Sequence, residues 1–472
     1  MIGREKEQQQ LRQAYDSEVS EFVAVYGRRR VGKTFLIREV FNYSFTFQHA
    51  GLANSLMNDQ LIAWHSSLQD VGYQGKVAKS WLEAFDQLKD VVKLSKEKKK
   101  VIFIDEMPWM DTPRSKFVAA LEHFWNSFAS ARKDILLIIC GSATTWIINN
   151  VFKNHGGLHN RVTCRIHLQP FTLNECERFV AERKLDFSKH QLLIGYMVMG
   201  GVPFYWSLLQ RGLSLDQNID ELFFSADGAL RHEFSELYAS LFKHPESYVR
   251  VIAALGKKNA GMTREEILAS DSDLSDNGKL TQVLEDLEYS GFIRRYNIIG
   301  KKLRSAVFQL IDNFTLFYFR FLQDNVENDS HFWTHHIDTP IYNTWCGLAF
   351  ERVCFMHIRQ IKQALGIEGI ASNIYAWQVK ASEEAGPGAQ IDMLIDRADQ
   401  VINLCEVKFS AREFSIDRVL SDALRMKKAR FAESTKNRKA LHLTMITTYG
   451  LVHNMYWGDI QKEVTATDLF KE

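Results

Sequence analysis

Cysteine is sparse and never falls in CxxC spacing. Cys140, Cys164, Cys176, Cys346, Cys354 and Cys405 lie scattered, several inside apolar runs where a buried thiol is expected. Disulfides and structural zinc are therefore not expected. Charge of one sign is also lacking. Lys plus Arg number 58 against 57 Asp plus Glu, so no global field draws the chain onto nucleic acid, and any such contact must come from local patches. No uninterrupted apolar run approaches the ~20 residues of a membrane span. The opening MIGREKEQQQ is charged where a signal peptide is apolar. The expected location is the cytoplasm, with no membrane partner. Internal repeats and low-complexity tracts are missing too.

What is present is an ordered globular composition, with 46% hydrophobic, 24% charged and 12% aromatic residues. The 472 residues exceed the roughly 250–300 at which one core stops growing, so two to four domains are expected. Early in the chain, FVAVY (22–26), FTFQHA (45–50), VIFI (101–104) and ILLIIC (135–140) alternate with helical patterns. Runs this uniformly apolar suit strands covered on both faces of a parallel α/β sheet.

Gly27-Arg28-Arg29-Arg30-Val31-Gly32-Lys33-Thr34 follows the first of these strands and opens the helical FLIREVF. Strand, glycine-bounded loop and helix are the context of a Walker A phosphate loop, whose backbone N–H groups curl around phosphates. Lys33 suits the β- and γ-phosphates, and the Thr34 hydroxyl suits Mg²⁺. VIFIDE then ends a buried strand in Asp105 and Glu106, a costly place for carboxylates without a task. Asp105 suits Mg²⁺ coordination and Glu106 the activation of water. In ILLIICGSATTW, Ser142 and Thr144 stand just past another strand, as γ-phosphate sensors or as ordinary strand termination.

Together MIGRE, GRRRVGKT, VIFIDEMPW, LIICGSATTW and YMVMGGVPFYW resemble the archaeal-type ATPase family of the AAA-like P-loop class over roughly the first 205 residues. The resemblance implies ATP and Mg²⁺ as cofactors, ATP hydrolysis, and a sheet with an extra strand between the two Walker strands. It also implies a helical lid carrying the GGxP segment. Arg161, in GLHNRV, becomes the candidate finger onto the γ-phosphate, in cis or in trans within a homo-oligomer. It reads equally as a surface arginine before the strand TCRIHL.

From Thr172 to Phe242 helical spacing dominates. Pro245 to Ile311 reads as three helices and a hairpin about Gly300, with a Thr263/Glu266 capping box and an apolar face of Leu280, Val283, Leu284 and Leu287, as in a winged helix. Arg294, Arg295, Lys301, Lys302 and Arg304 cluster at the proposed wing and suit DNA phosphates. Glu285, Asp286 and Glu288 on the preceding helix argue for a purely structural module. The aromatic stretch 314–322 reads as helical core joining this module to the C-terminal domain.

GAQIDMLIDRADQVINLCEVKFS carries Asp392 on one strand and Glu406 and Lys408 on the next, joined by a turn around 397–400. An antiparallel hairpin with that turn pairs positions summing to about 798, placing Asp392 level with Glu406. Glu406 and Lys408, two apart, share a face. Two carboxylates and an ammonium are what phosphodiester hydrolysis by a metal-activated water needs. With Glu351 on a helix starting at Gly347, the pattern resembles the PD-(D/E)xK nuclease superfamily over about 346–430. The resemblance implies Glu351, Asp392 and Glu406 as metal ligands, with Mn²⁺ as an alternative to Mg²⁺. The superfamily's proline is absent, and Gln390 stands where some relatives have an acid.

The expected architecture is thus α/β and multidomain. It comprises a P-loop core with a parallel sheet (1–171), a helical lid (172–242), a winged helix (243–312), a helical linker (313–345) and a restriction-endonuclease-like α/β domain (346–472). The expected activity is ATP hydrolysis coupled to a nuclease, with DNA as partner. An ATP-gated switch and a DNA-binding regulator with a non-cleaving nuclease-like domain stay open.

Overall fold

The computed structural model describes residues 1–153, 156–242, 244–296, 306–323, 325, 329–379 and 388–472. The chain forms two compact units, Met1–Pro170 with Leu241–Lys243, and Phe171–Ser240 with His244–Glu472.

The first unit runs α1 (Glu5–Asp16), β1 (Glu21–Tyr26), α2 (Lys33–Val40), β2 (Phe47–Ala50), α3 (Met57–Asp70), α4 (Trp81–Leu94), β3 (Lys100–Asp105), α5 (Phe117–Phe124), β4 (Ile135–Gly141), α6 (Thr144–Ile147) and β5 (Cys164–His167). Its five strands lie in the order β2-β3-β4-β1-β5 and every pairing is parallel. β4 therefore separates the strand before the phosphate loop from the strand ending in Asp105. Strands β3 and β4 are buried at every residue, which explains why their sequences do not alternate. One face packs Trp64, Trp81, Phe85, Phe117 and Phe124, and the other packs Leu36, Ile37, Val101 and Phe103. Apolar cover on both faces fixes the strand ends, and with them the loops that follow β1, β3 and β4.

The second unit begins with α7 (Leu173–Glu182), α8 (Lys189–Met199), α9 (Pro203–Ser207), α10 (Leu215–Ile219) and α11 (Glu233–Leu241). Thr172/Glu175 and Ser188/Gln191 form capping boxes that satisfy the first N–H groups of α7 and α8. Each is worth about 1 kcal/mol. In the GGxP segment, a Cβ on Gly201 would collide with the Phe171 carbonyl, whose own N–H donates to Gly201 O at 2.6 Å. The helices expected as a lid thus belong to the second unit, where Asn313 donates to Tyr196 O at 2.7 Å.

Next come α12 (Pro245–Gly256), β6 (Met262–Thr263), α13 (Arg264–Ser270), α14 (Gly278–Tyr289), β7 (Ile293–Tyr296) and β8 (Val307–Leu310). The strands form an antiparallel sheet in the order β6-β8-β7. Thr263 caps α13 with Glu266, and Leu280, Val283, Leu284 and Leu287 are all buried. Lys301, Lys302 and Arg304 lie outside the described residues.

The aromatic stretch gives α15 (Asn313–Phe317) and a following turn, then α16 (Phe332–His336). Phe314 meets Tyr205 and Phe223, while Phe317 and Phe321 meet Trp345. Its partners therefore include the α9–α10 region as well as the C-terminal segment.

Last are α17 (Pro340–Met356), α18 (Ile358–Ala364), β9 (Ser372–Val379), β10 (Ala389–Arg397), β11 (Val401–Lys408), α19 (Arg418–Thr435), β12 (Ala440–Thr447) and β13 (Lys462–Thr465). The sheet order is β13-β12-β11-β10-β9, antiparallel from β9 to β11 and parallel from β11 to β13. Two features differ from the sequence reading. The helix bearing Glu351 starts at Pro340, capped by the Thr339 hydroxyl, rather than at Gly347. Two strands also come after α19, beyond the helix, strand, hairpin and helix that the sequence pattern after about Trp345 predicts. β12 pairs in parallel with β11, more than 30 residues earlier in the chain, and β13 pairs in parallel with β12, so no local turn announces either.

Candidate active sites: the phosphate loop and the carboxylate hairpin

The phosphate loop rests on two left-handed glycines. Gly27, at φ 142°, packs so closely on the Leu168 carbonyl that a Cβ would collide with it, and Gly32, at φ 89°, caps α2. Arg30 takes the left-handed region too, at φ 68°. Val31 is core, Arg28 is buried at 6% exposure, and Arg29 is half-buried. Lys33 is buried and its Nζ donates to the carbonyls of Gly27 at 3.0 Å and Arg28 at 2.9 Å. The ammonium thus folds over the loop, within which phosphate oxygens would be stronger acceptors than carbonyls.

Thr34 Oγ1 donates to Asp105 Oδ2 at 2.7 Å, and the other Asp105 oxygen accepts the Glu106 N–H at 2.9 Å. A hydroxyl and a carboxylate oxygen in contact beside a phosphate loop fit Mg²⁺, which takes few protein oxygens and completes its shell with phosphate and water. Glu106 sits at φ 43°, an uncommon conformation for a non-glycine residue. Its Oε2 accepts from both the N–H and the hydroxyl of Ser142, at 3.2 and 3.0 Å. Ser142 therefore reaches the carboxylate that the sequence marks as the candidate for activating water. Thr144 instead begins α6, with its hydroxyl fully buried. Arg161 is exposed and donates from Nε to Gly157 O at 3.4 Å, within its own turn. The described geometry gives it no contact in the phosphate site.

In the hairpin, Met393 lies opposite Cys405 and Leu394 opposite Leu404, which sets Asp392 level with Glu406. Asp392 Oδ2 accepts the Val407 N–H at 2.9 Å. Burial, then the Glu406 charge, pushes the Asp392 carboxyl up to about 6, against the pull of the Val407 N–H. Glu351 is pushed to about 7 by burial and by the charge of Asp392. Lys408 donates to Glu406 at 2.8 Å, and this ion pair raises its pKa although burial opposes the shift.

The structure so brings Glu351, Asp392, Glu406 and Lys408 into one electrostatic group, but not into a three-carboxylate cage. Among the described residues no set of three or more His, Cys, Asp or Glu side chains is arranged to hold a metal. Lys427 of α19, which the sequence reading missed, joins this group. It donates to Glu406 Oε2 at 2.7 Å, so Glu406 spends both oxygens on lysines. Nothing in the helical sequence RVLSDALRMKKARFAEST marks Lys427 apart from its neighbours. Asp392 and Glu351 are half-buried and mutually repelling, a repulsion that a divalent cation bound to both would relieve.

Arg294 and Arg295 were both candidates for phosphate contact. Arg294 is instead drawn inward, stacked over Phe355 at 3.4 Å and donating to Gln309 at 2.7 Å. Burial lowers its pKa to about 10. Arg295 is exposed.

All six cysteines are free thiols. No helix among the described residues is long and apolar enough to cross a membrane.

The parallel sheet, the loop closed on Lys33 and the Thr34–Asp105 contact define a P-loop nucleotide-binding domain. Residues 1–209 match the family described as an ATPase domain predominantly from Archaea. That stretch of the chain is an archaeal-type ATPase domain. The chain is 25% identical over 359 residues to an uncharacterized protein of Methanocaldococcus jannaschii, covering 75% of this chain and 76% of that one. Among solved structures, the Walker-type ATPase of Pyrococcus abyssi is similar at 16% identity and TM-score 0.47, over 67% of this chain and 95% of its own. The Aeropyrum pernix ORC2 protein is similar at 13% identity and TM-score 0.43, over 76% and 96%.

Proposed function

We propose that the chain is an ATP-driven nucleic-acid-processing enzyme, in which ATP binding and hydrolysis at Lys33, Thr34, Asp105 and Glu106 control a metal-dependent nuclease of PD-(D/E)xK type acting on DNA. In the first site Lys33 holds the β- and γ-phosphates, Thr34 and Asp105 hold Mg²⁺, and Glu106 orients the attacking water, with Ser142 positioning Glu106. Arg161 is the candidate finger, supplied in cis or by another copy of the chain.

The observation that carries the nuclease half is the hairpin register, which sets Asp392 level with Glu406 and beside Lys408, with Glu351 of α17 close enough to feel the charge of both acids. Asp392 and Glu351 would hold Mg²⁺ or Mn²⁺. The bound ion supplies Lewis acidity and lowers the pKa of a water. Lys408, fixed by Glu406, stands to orient the water or the scissile phosphate. The three helices and antiparallel strands of 243–312 read as a winged helix.

A second reading is favoured by one observation, the double lysine pairing of Glu406. In it the C-terminal domain binds nucleic acid without cutting, and ATP gates that binding. Release of acid-soluble fragments from labelled single- and double-stranded DNA separates the two. It would be measured with Mg²⁺ or Mn²⁺, with and without ATP, for wild type, Asp392→Ala and Lys33→Ala. Cleavage abolished by Asp392→Ala establishes the nuclease, and Lys33→Ala reports its control by ATP. Intact ATP hydrolysis with no cleavage selects the switch.

A further inference from the structure

A cavity of about 800 Å³ opens within the second unit between the 245–311 module and the β9–β10 edge of the last sheet. Glu351 and Asp392 line it from α17 and β10, Arg294 and Tyr296 from β7, and Gln378 and Gln390 from β9 and β10. The module's strand face is thus one wall of the chamber that holds the carboxylates. A compact space of this volume is roughly 12 Å across, about the width of a DNA major groove alone. A duplex does not fit in it, whereas one or two nucleotides do.

The walls suit an unpaired base. Gln378 and Gln390 pair directly across the two strands, and both side chains are exposed. Their amides offer donors and acceptors to a base edge. The Tyr296 hydroxyl donates to the Ala260 carbonyl, which fixes the ring at the wall. Aromatic faces hold splayed bases with little regard to sequence. Charge argues the same way. Lys258 is paired with Glu266 at 2.6 Å, and Arg294 is half-buried with its guanidinium stacked over Phe355, so the chamber offers few cations for the many phosphates of a duplex.

We infer that this chamber accepts one or two unpaired nucleotides, a strand end or an extruded base, and that the 245–311 module acts as its wall and not as a reader of duplex grooves. The choice of a nucleotide as occupant rests on the proposed nucleic-acid-processing function.

The test is competition binding to the full-length protein in EDTA, where no metal-dependent cleavage occurs. The probe is a short fluorescent single-stranded oligonucleotide. The competitors are a blunt DNA hairpin and the same hairpin with a short single-stranded overhang. The overhang should compete at concentrations about tenfold lower than the blunt form, the scale of one stacked base. In the double variant Gln378→Ala/Gln390→Ala that preference should fall several-fold, with the unfolding midpoint unchanged. Equal competition by the two hairpins would overturn the inference, as would a full preference retained in the double variant. Cleavage inside blunt duplex that Asp392→Ala abolishes would keep the nuclease and discard the chamber's role. Overhang preference with no cleavage under any metal would keep the chamber and discard the nuclease.

Discussion

Glu106 is held by Ser142 through two hydrogen bonds to one carboxylate oxygen, from the backbone N–H at 3.2 Å and from the hydroxyl at 3.0 Å. In its proposed role as general base, Glu106 contributes through the transition state and not through ATP affinity. Glu106→Gln should lower the rate of ATP hydrolysis by about 10²-fold or more while ATP still binds. Ser142→Ala removes the hydroxyl and leaves the N–H, so its loss should be smaller, about tenfold. Steady-state phosphate release and nucleotide titration together check both. A Ser142→Ala enzyme that loses ATP affinity with an unchanged turnover would show that Ser142 serves nucleotide binding instead.

The carboxyl pair makes stability depend on pH. Asp392 rises from 3.8 to about 6 and Glu351 from 4.5 to about 7 in the folded chain. The folded state therefore binds these protons more tightly than the unfolded state, and stability falls as pH rises from about 4 to 7. His357 has the opposite sign. Buried and lowered from 6.5 to about 4, it contributes stability that is present above 6.5 and lost as pH falls. The informative comparison is thus wild type against Asp392→Asn. In EDTA, the denaturation midpoint of Asp392→Asn should gain on that of wild type between pH 5 and pH 8. Added Mg²⁺ should stabilise wild type at pH 8 and scarcely at pH 5, because the ligands must be deprotonated. A parallel pH dependence of the two proteins would remove the repulsion argument.

Lys427 should tune the same group from outside it. It lies 2.7 Å from Glu406 and its charge lowers the Asp392 pKa. Lys427→Met should shift the acid limb of the cleavage pH profile upward by as much as about one unit, the usual reach of one nearby charge. An unmoved profile would mean that Lys408 alone sets the electrostatics of Glu406.

The local geometry of both candidate sites was legible because it is set by neighbouring residues. GRRRVGKT and VIFIDE announce themselves by composition beside buried strands. The pairing of Met393 with Cys405 comes from hairpin geometry alone once the turn at 397–400 is placed. What could not be read was long-range. Lys427 meets Glu406 from a separate helix, and β12 pairs with β11 from across that helix. Arg294 looked like one more wing cation until Phe355, 61 residues away in sequence, closed over it. A charge run specifies neither of those partners, so surface cations and buried ones look alike in sequence.

Arg352 ties the helix of Glu351 to the 245–311 module. It is 2% exposed and donates to the carbonyls of Leu310 at 3.3 Å, Leu348 at 2.7 Å and Asn259 at 3.1 Å. Arg352→Met keeps the apolar stem but removes the three guanidinium hydrogen bonds, while Asn259 O keeps the Gln309 amide at 2.6 Å, so the change should cost about 1–3 kcal/mol in unfolding free energy. Arg352→Lys should recover only part of this, because one ammonium cannot reproduce a planar fork that reaches three carbonyls. Denaturant titration of the two variants gives the ranking. Equal stability of Arg352→Met and wild type would show that the module is held by its apolar contacts alone. Because Glu351 is the next residue on α17, loosening this tie should also slow any metal-dependent cleavage more than it weakens DNA binding. That inequality distinguishes a clamp on the site from a bolt elsewhere in the fold.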